Sequence, residues 1–215
     1  SETEHVLIDL NFLGINNVLA LRGDGVKNQH VFVPTPNGHS NANELVIQLK
    51  DLGKGKYLEE DLKNNTPLDF CIGVAGYPEK HFEAPNMEQD LFYLKQKVDA
   101  GADYIVTQMF FDNRIYYNFV NKCREIGINI PIIPGIKPIN LQNQLTVLPK
   151  LFSIDIPVEL AKELGKCKTN NEAARVGTEW AIFQSKDLVA NKVPSLHIYT
   201  YGVSDNVKEI VNAVF

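Results

Sequence analysis

Asn17-Val18-Leu19-Ala20-Leu21-Arg22-Gly23-Asp24 decides how this chain is read. Val18 to Leu21 is an unbroken apolar run bounded by turn signals, which fits a strand buried on both faces of a parallel sheet. A cation, a glycine and an anion follow at once, where the strand leaves the core. Parallel α/β folds bind ligands at the carboxyl ends of their strands, so Arg22, Gly23 and Asp24 stand where a binding turn would. The competing reading is a solvated turn, because charged residues and glycine commonly end strands.

Working outward, Val6, Leu7, Leu10 and Leu13 recur at helical spacing and Gly14 stops the pattern, so a helix precedes the strand. A loop rich in Gly, Pro, Asn and His runs over 25–41, longer than a typical connection, and loops of that kind are often functional. A helix over 42–52 and a strand over 69–77 follow. Next comes a helix from Asn86, with Gln89 completing a capping box, to about Ala100. The third strand is Tyr104 to Phe111, with the polar pair Thr107 and Gln108 inside an apolar run. Asp112 and Asn113 open a helix. Ile130 to Ile136 is a fourth strand, helical patterns cover 141–151, 157–164 and 172–189, 195–201 is a fifth strand, and 207–214 is a closing helix. Strand and helix alternate, and every connection is long enough for a right-handed crossover, so the sheet is parallel. Five strands suffice for an open doubly wound sheet but not for an eight-stranded barrel.

The 215 residues carry a formal charge of −5, so bulk attraction to nucleic acid or an anionic membrane is not expected. No apolar run is long enough to span a bilayer and no signal peptide is visible, which points to a cytoplasmic protein. The three cysteines, Cys71, Cys123 and Cys167, are far apart; that argues for a reducing compartment and against a disulfide framework or a zinc cluster. Cys71 and Cys123 read as small buried hydrophobes. No residues at metal-ligand spacing are found, and no metal is expected.

The strand ends collect Arg22 and Asp24, Tyr77 and His81, Gln108, then Gly135, Lys137 and Pro138, and finally Tyr199 and Tyr201. This polar and aromatic set suits a conjugated, partly anionic organic molecule, although no Gly-x-Gly-x-x-Gly or Walker-type loop follows any strand. Gln108 is the sharpest single signal: a buried strand amide needs hydrogen-bond partners, which a ligand or the neighbouring backbone could supply. Lys97 and Asp90 share a helix, where solvated charges are the usual case. Phe110, Phe111, Tyr116 and Tyr117 read as core packing with the option of ring stacking.

Five stretches then match one family in order and at similar spacing: Leu-Ala-Leu-Arg-Gly-Asp at 19–24, Tyr-Pro-Glu-Lys-His at 77–81, Lys-Val-Asp-Ala-Gly-Ala at 97–102, Thr-Gln-Met-Phe-Phe-Asp at 107–112 and Ile-Ile-Pro-Gly-Ile at 132–136. Over essentially its whole length the chain resembles methylenetetrahydrofolate reductase. The resemblance implies a flavin-containing (β/α)8 TIM barrel, of which this chain would be a single domain over 1–215 supplying about the last five βα units. It implies reduction of 5,10-methylenetetrahydrofolate to 5-methyltetrahydrofolate, with hydride passing from NADH or NADPH to FAD and on to the folate, in one-carbon metabolism and methionine supply. A homo-oligomer is expected as well.

By the resemblance, Arg22, Gly23 and Asp24 form the flavin-contacting turn, and the Asp24 carboxylate tunes the flavin potential and lies near the pterin. Ala42, Tyr77, His81, Asp90 and Lys97 fall where relatives hold the FAD ribose, diphosphate and adenine, with Lys97 and His81 suited to the diphosphate. Gln108 matches a substrate-contacting strand amide, and Gln144 falls near a second. The family's general acid, a glutamate on an earlier strand, matches no residue here. Leu148 stands where the bacterial type stacks a Phe on substrate, Gly202 and Val203 where an arginine is expected, and Gln96 in place of an arginine at the diphosphate turn. The alternatives are a non-catalytic flavin- or folate-binding fragment, or another one-carbon-transferring barrel.

Overall fold

The computed structural model describes residues 2–23, 25, 32–36, 38–59, 61–200, 202 and 204–215. Asp24, Tyr201 and Val203 therefore lie outside the described residues. The elements are α1 (Glu2–Phe12), β1 (Asn17–Ala20), α2 (Ala42–Leu52), β2 (Cys71–Gly76), α3 (Met87–Asp99), β3 (Tyr104–Met109), α4 (Asn113–Glu125), β4 (Ile132–Ile136), α5 (Gln144–Phe152), α6 (Val158–Lys166), α7 (Asn170–Ala190), β5 (His197–Ile198) and α8 (Asp205–Val214). The strands form one sheet in chain order. β1 runs parallel to β2, with Asn17 beside Cys71 and Ala20 beside Val74, and β4 runs parallel to β5, with Gly135 beside His197. The expected alternation and parallel sheet are therefore present. Among the described residues the fifth strand is two residues long rather than seven, and Tyr199 N–H donates to Ile136 O at 2.9 Å just past it.

The chain divides into two compact units, 1–75 with 93–105 and 76–92 with 106–215. In the first, Leu7, Val46, Leu49, Leu52, Ile72 and Ile105 are buried. Asp103 binds across this unit, accepting from Ile72 N–H at 2.8 Å and from the Lys50 ammonium at 3.2 Å. β1 corrects an expectation: it is not buried on both faces, since Leu19 is 39% and Leu21 52% exposed, and only Ala20 is fully enclosed. β1 stands at the end of the strand order, so it has one strand neighbour among the described residues. Beside it α1 and α2 leave an open groove of about 390 Å³ lined by Leu7, Leu10, Val18, Leu19 and Leu45. Cys71 is also exposed, against expectation. It begins β2, where the pleat turns its side chain away from the core that Ile72 enters. Cys123 is buried as expected, and burial raises its thiol pKa to about 12.

In the second unit, Met109, Phe111, Ile139, Leu148, Ile154, Leu160, Leu164 and Ala173 make one apolar cluster. Phe110 and Tyr116 stack at 5.4 Å, and the Tyr116 hydroxyl donates to Ile132 O at 2.7 Å, so these aromatics are core. Asp112 caps α4 by accepting from Arg114 N–H at 2.9 Å. Thr169 caps α7, its Oγ1 accepting from Glu172 N–H at 3.2 Å, while Glu172 Oε2 accepts from Lys168 N–H, one residue before the cap, at 2.6 Å. α7 packs on the rest of the unit through Trp180 Nε1–H donating to Phe111 O at 3.0 Å and Gln184 Nε2–H donating to Phe110 O at 3.2 Å. Among the described residues no helix is long and apolar enough to cross a membrane.

Candidate functional site

In the first unit, two of the expected positions are at strand ends. The Arg22 guanidinium lies 5.0 Å from the centre of the Phe32 ring, and a side chain on Gly23 would meet the same ring at 3.3 Å. The backbone just past β1 is thus pressed against an aromatic from the following loop. Ala42 is the first residue of α2, after Asn41. The loop entering α2 is fastened by Glu44, which accepts from Ser40 N–H at 2.7 Å, and by a 2.7 Å hydrogen bond between His39 Nε2 and Gln48 Oε1. The Ser40 hydrogen bond is the main reason the Glu44 carboxyl is held below its ordinary pKa.

Lys97 is not a solvated lysine. It is half-buried on α3, and its ammonium donates to Ala75 O at 2.6 Å. Ala75 is the penultimate residue of β2, so a cation from the helix reaches the carboxyl end of the strand.

In the second unit the turn after β2 is closely built. Lys80 N–H donates to Tyr77 O at 3.1 Å, closing a turn in which Lys80 adopts φ +86, a left-handed conformation that costs a non-glycine residue free energy. The Lys80 ammonium donates to His81 O at 3.1 Å and Ala84 O at 2.6 Å. Asp90 is 8% exposed and accepts from His81 N–H at 3.0 Å, so it orders this turn from within α3. The Tyr77 and His81 rings meet edge to face at 4.5 Å, and the Phe82 ring lies tilted 4.6 Å from that of His81. His81 Nδ1 accepts from Glu83 N–H at 3.2 Å. With that lone pair engaged, the neutral imidazole carries its proton on Nε2 and offers it as a donor.

Glu79 was not singled out as a site residue from the sequence, and Lys137 was collected among the strand-end residues without a role. Glu79 Oε2 accepts from Asp155 N–H at 2.7 Å, while Oε1 is buried and meets no hydrogen-bond partner among the described residues. Burial raises this carboxyl to about 7, helped by the carboxylates of Asp155 and Asp112 and opposed by the Asp155 N–H. Its partner is 76 residues away in the chain, so no local pattern could have revealed it. Lys137 directly follows β4, is 2% exposed and donates to Pro138 O at 2.9 Å; burial pulls its ammonium below the usual lysine range. A lysine after Pro-Gly-Ile at a strand end was the available signal.

Gln108 is half-buried rather than buried, and its Oε1 accepts from Met109 N–H at 2.9 Å. The neighbouring backbone thus satisfies its oxygen. Gln144 Oε1 accepts from Asn140 N–H at 2.7 Å and Leu141 N–H at 3.2 Å, tying down the loop into α5. Leu148 is 5% exposed and sits within the apolar cluster. Thr107, the other polar residue of β3, accepts from Gly135 N–H at 2.9 Å through Oγ1, and its carbonyl accepts from the Tyr199 hydroxyl at 2.9 Å. A side chain on Gly135 would meet Thr107 O at 2.2 Å, so glycine is required for this close approach. Thr107→Val keeps the shape but leaves the Gly135 N–H without that acceptor. We expect a loss of about 1–3 kcal/mol, seen as a lower denaturant midpoint at unchanged slope.

Residues 1–214 match the family "Methylenetetrahydrofolate reductase". The chain is 41% identical over 210 residues to "Methylenetetrahydrofolate reductase (NADH) 1" of Arabidopsis thaliana, covering 93% of this chain and 33% of that protein. It is 34% identical over 190 residues to "5,10-methylenetetrahydrofolate reductase" of Escherichia coli K12, covering 87% of this chain and 56% of that protein. The chain thus spans a third to little more than half of these relatives. Among solved structures, an uncharacterized protein from Clostridium thermocellum, described as binding two copies of 5-methyl-5,6,7,8-tetrahydrofolic acid, aligns at a TM-score of 0.47 with 16% identity, covering 89% of this chain and 65% of that one.

Proposed function

This chain belongs to the methylenetetrahydrofolate reductase family, and on that premise we propose that it is part of an FAD-dependent (β/α)8 barrel that reduces 5,10-methylenetetrahydrofolate to 5-methyltetrahydrofolate at the expense of NADH or NADPH. The observation that carries the reading is the family match over residues 1–214. The placement of Lys97 supports it: helix lysines are ordinarily solvated, yet this one is brought to the end of β2.

The residues present fit FAD. Lys97 supplies a partly desolvated cation for a diphosphate, and His81 supplies an Nε2–H donor on a ring fixed by Tyr77 and Phe82. Asp90 holds the His81 backbone, and Tyr77 offers an aromatic face. Ala42, at the start of α2, places no long side chain beside the ribose. By the family's motif, Arg22, Gly23 and Asp24 would be the residues that contact the isoalloxazine, glycine would permit close approach, and a carboxylate at Asp24 would disfavour the anionic reduced form. Bound flavin supplies the two-electron relay between nicotinamide and folate. With its oxygen held by Met109 N–H, Gln108 presents its amide N–H₂ to an acceptor on the pterin. Gln144 is a second substrate contact through its own N–H₂, its oxygen being engaged.

The test is optical. Purified protein supplied with FAD should show a flavin spectrum that NADH or NADPH bleaches anaerobically and methylenetetrahydrofolate restores. Bound flavin that neither nicotinamide bleaches would favour a non-catalytic flavin-binding role, and the absence of any FAD affinity would remove the flavin reading.

A further inference from the structure

The turn that carries His81 is strained at Lys80, so something must hold it. Several contacts fasten it. Lys80 binds carbonyls of its own segment, Asp90 takes the His81 N–H, and Glu79 reaches Asp155 between α5 and α6. The first two are local to the turn and α3. Glu79 ties the turn to a residue 76 positions on in the chain, in the segment between α5 and α6. Its carboxyl is unusual in a second way, since one oxygen is bonded and the other is buried without a partner among the described residues. A carboxylate so placed leaves charge on an oxygen that no donor meets.

The charged groups around it disfavour that charge further. Asp155 presents its own carboxylate beside the N–H that Glu79 accepts, and the Asp112 carboxylate at the start of α4 faces it too. Arg114 is clamped on Asp112, Nη2 to Oδ2 at 2.6 Å, so its charge is spent there. On the turn itself, the Lys80 ammonium is directed to His81 O and Ala84 O, and His81 adds an imidazole.

Resting on the flavin reading above, we propose that Glu79 is a positioning residue: as the neutral acid it latches the Tyr77–His81 turn to the Asp155 backbone and so fixes His81 for the cofactor, and the latch weakens as Glu79 ionises. In the closed turn this carboxyl holds its proton up to about pH 7, whereas once released into water it ionises near its ordinary 4.5. Opening therefore releases a proton between those limits. The closed turn is most favoured below about pH 4.5, loses about tenfold in its closing constant per pH unit up to about 7, and changes no further above that.

Amide hydrogen exchange at Asp155 reads the latch directly and without any ligand. In the wild-type chain the protection factor of this N–H, corrected for intrinsic exchange, should fall by about tenfold per pH unit between pH 5 and 7 and then level off. In Glu79→Gln, which keeps the acceptor and cannot ionise, protection should not vary with pH. In Glu79→Ala it should be low throughout. FAD titrations should then show weaker binding by Glu79→Ala, restored by Glu79→Gln, with no added loss when Glu79→Ala is combined with His81→Ala. Protection that is independent of pH in the wild type, or an unchanged slope in Glu79→Gln, overturns the latch, as does additivity of the two alanine substitutions. The expected exchange pattern in a protein with no FAD affinity at any pH leaves the latch standing and removes the flavin reading instead.

Discussion

Gly177→Ala is expected to lower stability by about 3 kcal/mol or more. A Cβ at this position in α7 would stand 2.0 Å from Ile139 O and 2.7 Å from Ile139 N. Both are backbone atoms, so no rotamer change relieves the overlap. Ile139 is 1% exposed and belongs to the apolar cluster, which leaves it no space to retreat. α7 would have to lift away, loosening the Trp180 and Gln184 hydrogen bonds to Phe111 and Phe110. At about 2–4 °C per kcal/mol for a chain of this size, the midpoint of thermal unfolding should fall by roughly 10 °C. Gly165→Ala is the matched control. It is an exposed position on α6 with nothing within 4 Å of the added carbon, and should stabilise by about 0.5–1 kcal/mol through helix propensity. Equal melting of Gly177→Ala and wild type would show that α7 and the Ile139 backbone are not in such close contact.

Lys97→Met should weaken FAD binding by about 10–100-fold, the loss expected for one hydrogen bond to a charged group. The methionine retains the length and apolar packing of the lysine stem while removing the ammonium that reaches Ala75 O. Binding of riboflavin, which lacks the diphosphate, should change little. That contrast separates an electrostatic role from a structural one, because collapse of the β2 end would weaken both ligands alike. The wild-type affinity should also fall with added salt more steeply than that of Lys97→Met. Isothermal titration with FAD and riboflavin checks both points, and parallel loss of the two ligands would refute the assignment of Lys97 to the diphosphate.

Sequence patterns were most dependable where the physical cause is local. Helix periodicity and caps located α2, α4 and α7, and the side chains of Asn86, Asp112 and Thr169 accept backbone N–H groups at the helix starts as their types suggest. Apolar runs located the strands, and the length of the connections made them parallel. Reading the apolar run at 18–21 as buried on both faces failed because an apolar residue reports a preference for burial, while burial itself requires neighbours on each side. β1 has β2 on one side and an open groove beside it, so Leu19 keeps 39% of its exposure.

The local geometry around the candidate site residues was only partly legible. Tyr77, His81, Asp90 and Lys97 could be named as candidates from motifs, and Asp90 on α3 accepts the His81 N–H of the turn. What those side chains bond to was not readable. Lys97 on a helix flank and Gln108 in a strand each had a solvated or self-satisfied alternative, and the two resolved differently. The lysine ammonium goes to a strand carbonyl, and the Gln108 oxygen goes to its own neighbour.

The amino-acid sequence by itself determined the order of elements, the parallel sheet, the family and the strand-end turns, because propensity, periodicity and motif spacing all act within a few residues of chain. Only the tertiary structure decided that β1 is half open, that Glu79 is a buried carboxyl with a pKa near 7, and that Thr107 joins Gly135 and Tyr199. Each of these depends on groups 28 to 92 residues apart, and desolvation and close approach at such separations are set by packing alone.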